Sequence, residues 1–210
     1  MSPNPYKSGF FFDNLVYKIN QNQMMHSRKF ILAITIACLS ILKANAQGSF
    51  GAPLLKVSPL NGETGLLFGG MGAAHYGNFY FGGAGMGLVN GERFSLDTEN
   101  GTLNDLSMGY GGLLFGYQKY LNKPLSLYTQ GLIAWGSYSW KNEDDGANFF
   151  LLEPEAGLNI HASQRFTLAL GLGYRFAIHT SKSQYELDQL NGFNATLAFK
   201  FGNLQNTDND

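Results

Sequence analysis

Two-residue alternation near the C-terminus, eight strand-length segments, and connections that alternate between short and long predict an all-β fold. The expected architecture is an eight-stranded antiparallel up-and-down transmembrane β-barrel. In FNATLAFKFG, Phe193, Ala195, Leu197, Phe199 and Phe201 fall on one face, and Asn194, Thr196, Ala198 and Lys200 on the other. Successive side chains of a strand point to opposite sides, so this spacing separates an oily face from a polar or small one. RFTLALGLGYRFA repeats the pattern: Phe166, Leu168, Leu170, Leu172, Tyr174 and Phe176 oppose Arg165, Thr167, Ala169, Gly171, Gly173, Arg175 and Ala177. Six apolar residues on one face exceed what a soluble sheet needs, while two arginines occupy the other. A wall wetted by lipid outside and enclosing a polar lumen accounts for both.

Turn residues and alternation place strands at 53–60, 64–75, 78–89, 106–120, 125–140, 149–160, 165–178 and 192–202. Most reach the roughly 9 to 11 residues a tilted strand needs to cross a membrane. Their glycines argue against helix. The connections 76–77, 121–124 and 161–164 are short, whereas 90–105, 141–148 and 179–191 are long. Short turns on the periplasmic side and longer loops outside give this alternation when both termini lie in the periplasm. The tight 61–63 connection departs from it, but Asn61-Gly62 is a good hairpin signal. An even strand count lets the first and last strands meet, leaving no edge in lipid. Alternation is weakest in LLFGGMGAA, FYFGGAGMG and GYGGLLFG, where Gly-Gly pairs blur the facing and suit bulges or bends. Tyr120, Tyr128, Trp135, Tyr138, Trp140 and Tyr174 are candidates for interfacial aromatic belts.

The N-terminal region reads as a targeting segment. Arg28 and Lys29 precede the apolar run 30–42, and Ala44-Asn45-Ala46 gives an A-x-A-like cleavage site. Residues 24–46 are therefore expected to be a signal peptide, residues 1–23 an extension from an upstream start codon, and residues 47–210 a single barrel domain. An uncleaved anchor would need a span of roughly 20 apolar residues, more than this run offers. Cys38, the one cysteine, leaves with the leader, and Thr35-Ile36-Ala37 lacks the leucine expected ahead of a lipidated cysteine.

The remaining chain holds 9 Lys+Arg against 14 Asp+Glu and no basic stripe, which argues against nucleic acid as a partner. Glycine is abundant without a three-residue period, so collagen is excluded.

Within the expected strand 149–160, Phe150, Leu152, Pro154, Ala156, Leu158 and Ile160 face lipid and turn Glu153, Glu155, Gly157 and Asn159 inward. A tight turn at 161–164 that sets Ile160 near Phe166 places Glu153 opposite Gly173 and diagonal to Arg175, so an ion pair between them is expected. Lys56, Arg165 and Lys200 are candidates to join Glu155 in the same lumen network, because buried charges demand partners. The plainer alternative is that this network only fills and rigidifies a narrow barrel. His75, His161 and His179 fall at different strands and ends, a poor arrangement for a metal. A Ser/His/acid set can be written from His179, Ser181 or Ser183, and Glu186, though all are ordinary loop residues. Gly83–Gly85, Gly85–Gly87 and Gly171–Gly173 lie inside strands, not in the strand-to-helix setting that phosphate binding uses. Acidic residues gather in the long loops: Glu92, Asp97, Glu99 and Asp105, then Glu143, Asp144 and Asp145, then Glu186 and Asp188. They suit divalent cations that bridge lipopolysaccharide, a basic partner, or simple solvation.

GAPLLKVSPLNGETGLLFGG (51–70), FYFGGAGMGLVN (79–90), LSMGYGGLLFGY (106–117), FFLLEPEAGLNI (149–160) and the terminal FNATLAFKFG resemble the small outer-membrane β-barrel proteins of Bacteroidetes-type bacteria. The resemblance spans nearly all of residues 47–210 and implies insertion by the outer-membrane assembly machinery. That machinery usually reads a terminal aromatic strand, and here nine residues follow Phe201. No catalytic residues carry over. The expectation is a monomeric, non-enzymatic outer-membrane protein without a cofactor, in contact with outer-membrane lipid and lipopolysaccharide, with a structural or surface-interaction role. The alternatives are a lipid-modifying outer-membrane hydrolase and a soluble periplasmic lipid-binding barrel; the latter requires an apolar inside and a polar outside.

Overall fold

The computed structural model describes residues 48–60, 62–98, 101–122, 124–141, 146–179 and 190–202. The expected leader, upstream extension and C-terminal tail lie outside the described residues. Ten strands follow in order: β1 (Gly48–Leu60), β2 (Glu63–Tyr76), β3 (Phe79–Leu88), β4 (Ser95–Thr98), β5 (Gly101–Asn104), β6 (Leu106–Asn122), β7 (Leu125–Trp140), β8 (Ala147–His161), β9 (Phe166–His179) and β10 (Gly192–Gly202). Eight of them close an antiparallel barrel in the order β1-β10-β9-β8-β7-β6-β3-β2. β10 meets β1 through pairs such as Phe201–Gly51 and Leu197–Leu55, so the sheet has no free edge.

β4 and β5 form a separate hairpin within the 90–105 connection, expected from the sequence to be plain loop. The Asn100-Gly101 pair beside it is the signal that could have flagged it. β1 begins at Gly48, five residues before the expected start, because Gly48–Ala52 pairs in register with Met71–His75 although its small residues show little alternation. The β2–β3 turn depends on Gly77, whose φ of 61° favours a residue without a Cβ. Asp105 is the one non-glycine residue at positive φ among the described residues. Its backbone carbonyl accepts the Lys141 N–H at 3.2 Å and its carboxylate accepts Lys141 Nζ at 2.8 Å, which holds the loop exit on β7.

Two expectations about the β8–β9 hairpin are corrected. Ile160 pairs with Leu168, not Phe166, and Glu155 takes the place opposite Gly173. The turn occupies 162–165 instead of 161–164: the N–H groups of Ala162 and Ser163 both donate to the Phe166 carbonyl at 3.1 Å, and Ser163 Oγ accepts the N–H groups of Arg165 and Phe166. Arg165 therefore sits exposed in the turn and takes no part in a lumen network. A two-residue shift preserves facing, so Glu153 still points inward and now lies directly across from Arg175.

Burial separates inside from outside sharply. Leu172 is 72% exposed, Phe193 74% and Leu113 72%, whereas Arg175 is 0% exposed, Lys200 1% and Glu153 2%. A soluble lipid carrier would have the inverse distribution, and that alternative is set aside. The aromatic-belt expectation divides. Trp135 faces out, but Tyr128, Tyr138 and Trp140 point inward, because the even positions of β7 face the lumen. The interior is itself layered. Leu60, Phe94, Leu106, Trp140, Ala147 and Leu190 fill the end nearest the long connections, and polar and charged side chains are set among apolar ones through the middle and the short-turn end. Phe94 is carried there by a single 3-10 turn, Gly91–Arg93, which Asn90 anchors by accepting from Leu66 N–H at 2.8 Å and donating to the Thr64 carbonyl at 2.9 Å.

Two glycines distinguish steric need from tolerance. A Cβ on inward-facing Gly112 would strike the Ile133 carbonyl and lie 2.5 Å from Ala134 Cα, whereas one on outward-facing Gly85 would rest 3.6 Å from the nearest atom, the Tyr110 carbonyl oxygen. Gly112→Ala should therefore destabilise the barrel by about 1–3 kcal/mol through overpacking. Gly85→Ala should be close to neutral. Urea unfolding midpoints of the two variants in lipid vesicles would check the contrast.

Candidate functional site

Alternation on six strands brings the charged lumen and its polar partners together. β8 turns Glu153, Glu155 and Asn159 inward, β9 Arg175 and Thr167, β1 Lys56, and β10 Asn194, Thr196 and Lys200. β6 and β7 supply Tyr110, Gln118, Ser126, Tyr128 and Gln130.

At mid-height Glu153 is shared by two cations. Lys56 Nζ donates to its Oε1, Arg175 Nε to its Oε2 at 3.3 Å, and Tyr110 OH to Oε2 at 3.4 Å. Glu155 collects neutral donors: Tyr128 OH at 2.8 Å, Gln130 Nε2 at 2.9 Å and Thr196 Oγ1 at 2.6 Å. Lys56 lies 3.6 Å from its Oε2 and bridges the two carboxylates. Tyr80 OH extends the set by donating to Gln130 Oε1 at 2.8 Å. A buried carboxylate is tolerated only when its lone pairs are satisfied in this manner.

Lys200 does not join Glu155 by an ion pair. Its Nζ donates to Asn159 Oδ1 at 3.0 Å and stands over the rings of Tyr128 (4.6 Å), Phe50 (5.1 Å) and Tyr80 (5.7 Å). The aromatic faces partly replace a carboxylate for a desolvated ammonium. Sequence reasoning missed this cage because Phe50 lies outside the expected strand boundary, glycines obscure the facing of Tyr80, and large side chains on both faces of β7 obscure that of Tyr128. Below it, Asn159 Nδ2 donates to Gln118 Oε1 and Ser126 Oγ, both at 3.2 Å. His161 then links Ser126 Oγ and Thr167 Oγ1, each at 2.8 Å. His75 lies apart, packed on Phe50 and Tyr80 at ring separations of 5.5 and 5.4 Å.

The network leaves little space. A cavity of about 20 Å³ lies between Lys56, Gln130, Glu153, Glu155 and Thr196 on one side and apolar residues such as Leu54, Met71 and Met86 on the other. That is room for about one water. Among the acidic loop residues, Glu92 is exposed and Asp105 engages Lys141. Of the others, Asp97 has no described side chain and the rest lie outside the described residues. Ser181, Ser183, Glu186 and the His179 side chain of the hydrolase alternative also lie outside them.

No protein-family model and no curated protein matches the sequence. Solved structures do. The N-terminal β-barrel domain of OprF from Pseudomonas aeruginosa superposes with a TM-score of 0.54 at 12% identity, over 75% of this chain and 98% of that one. Neisserial surface protein A gives 0.53 at 12% identity, over 74% and 94%. The outer membrane protein OprG of Pseudomonas aeruginosa gives 0.50 at 10% identity, over 75% and 97%. At such identities the likeness is one of fold.

Closed barrel, apolar outward-facing belt and charged interior define the class: an eight-stranded outer-membrane β-barrel. The chain is a protein of the outer membrane by architecture and by the chemistry of its wall.

Proposed function

We propose that this is a non-enzymatic member of the small outer-membrane barrels, of the Bacteroidetes type its segments resemble, with a structural or surface-interaction role in the cell envelope. The observation that carries this is the filled lumen: Glu153, Glu155, Lys56 and Arg175 knit β1, β8 and β9 together and leave a cavity of only about 20 Å³. Among the described residues that packing argues against a diffusion path or a substrate cleft within the lumen. The network serves as an internal brace, and the long connections supply the surface that meets other molecules. In this reading the barrel acts as a monomer, is inserted by the outer-membrane assembly machinery and contacts outer-membrane lipid and lipopolysaccharide, with residues 24–46 removed on export.

Cell fractionation with cold-loaded and boiled gel migration tests the reading. The protein is expected in the outer-membrane fraction, to migrate differently after boiling, and to begin at Gln47. Recovery in the soluble periplasmic fraction would defeat it, as would channel currents in planar bilayers of the size an open pore gives.

A further inference from the structure

The apolar wall of the barrel is interrupted by one charge. Of the charged residues in the eight barrel strands, Lys56, Glu153, Glu155, Arg175 and Lys200 are buried in the lumen, and Glu63 opens β2 at the long-connection end. Lys119 is the other. It stands exposed close to the end of β6, on the outward face that also carries Leu113, Phe115 and Tyr117. Its cross-strand partner, Leu127 of β7, is 47% exposed, and Leu121 beyond it is 54% exposed. Lys119 forms no ion pair with a described residue. An ammonium on a lipid-facing wall is tolerated where its aliphatic stem can lie along the apolar surface and carry the charge to the headgroup layer.

The surroundings of Lys119 mark that layer. On the same outward face, Phe79 and Tyr117 meet edge to face at 5.1 Å, and Phe166 and Phe201 lie 5.2 Å apart at the short-turn end of β9 and β10. Aromatic rings collect where a bilayer gives way to water. Arg165 is exposed in the β8–β9 turn at this end, and the His161 N–H donates to the Pro124 carbonyl at 2.8 Å, tying that hairpin to the β6–β7 connection. Among the described residues no Asp or Glu lies at this end, whereas Glu63, Glu92 and Asp105 lie at the opposite one.

We infer that the short-turn rim at Lys119 and Arg165 binds the headgroup phosphate of anionic phospholipids of the phosphatidylglycerol class. The inference rests on the outer-membrane reading above, in which this rim meets the periplasmic leaflet. A phosphate ester offers charge-assisted acceptors to the ammonium and guanidinium. An anionic lipid is favoured over a zwitterionic one because the rim supplies cations and no described carboxylate, so the ammonium of a choline headgroup finds no counter-charge there.

Spin-labelled lipids test the rim directly. In phosphatidylcholine vesicles holding the folded barrel, spin-labelled phosphatidylglycerol is expected to be motionally restricted to a greater extent than spin-labelled phosphatidylcholine. Lys119→Gln combined with Arg165→Gln should lose most of that preference, Lys119→Arg should keep it, and so should Arg93→Gln at the opposite end. Equal restriction of the two lipids by the wild type would overturn the inference, as would a full preference in the double variant. Inorganic phosphate at constant ionic strength should not displace the labelled phosphatidylglycerol; displacement would assign the rim to a free ion and equally overturn it. Unboiled gel migration reports folding, and if the double variant does not fold, Lys119→Gln alone decides. A barrel that inserts yet holds both lipids alike defeats this inference only, whereas one that fails to insert defeats the reading beneath it.

Discussion

Glu153→Leu is expected to be among the most damaging single substitutions in this barrel, lowering stability by about 3–5 kcal/mol. The residue is 2% exposed and is the acceptor shared by Lys56 and Arg175, which are 4% and 0% exposed. Its loss leaves two enclosed cations, with only Glu155 nearby, 3.6 Å from Lys56. The cost comes from the stranded charges and not from the worth of the pair itself, so a compensating change should recover much of it. Glu153→Leu combined with Lys56→Met removes one carboxylate and one cation and should lie well above the single variant in urea unfolding from lipid vesicles. If the single variant unfolds at the wild-type midpoint, the ionic brace is not what holds β1, β8 and β9 together.

Leu172→Arg tests the opposite surface. Leu172 stands 72% exposed near the middle of β9, between Ala195 of β10 and Ala156 of β8. In water such a change on an exposed strand face would shift stability within about 0.5 kcal/mol. In a bilayer midplane it should cost about 2–4 kcal/mol. The same substitution at Phe201, near the end of β10, should cost less because it lies closer to an interface. Folding free energies in vesicles for the pair report depth along the wall, and equal, negligible effects at both positions would remove lipid as the solvent of that face.

The C-terminal half of the barrel was legible because β8, β9 and β10 each bury one face in the lumen and present the other to lipid, so their sequences alternate without interruption. Phe193 out, Asn194 in and Lys200 in follow directly from that rule. The facing of Glu153 and Arg175 was equally accessible, but their opposition was not. It depends on whether the turn spans 161–164 or 162–165, and only the hydrogen bonds of Ser163 and Phe166 decide that. Arg165 was misassigned for the same reason, since one residue at a strand start separates lumen from solvent. The inward turn of Tyr128, Tyr138 and Trp140 was hidden by a second circumstance. The lumen is partly apolar, so on β7 both faces carry large hydrophobic residues and periodicity loses its contrast. The β4–β5 hairpin escaped because four-residue strands in an exposed loop need no buried face to mark them.

The shift between the anticipated and observed β8–β9 pairings bears on how the chain finds its final arrangement. Sliding one strand past the other by two residues keeps every oily group toward lipid, so the hydrophobic effect scarcely discriminates between the alternatives. Electrostatics favours one: the observed alignment sets Arg175 directly across from Glu153, whereas the anticipated one leaves the two only diagonal. The charges inside the wall thus add a preference for the native strand alignment that greasiness alone does not supply.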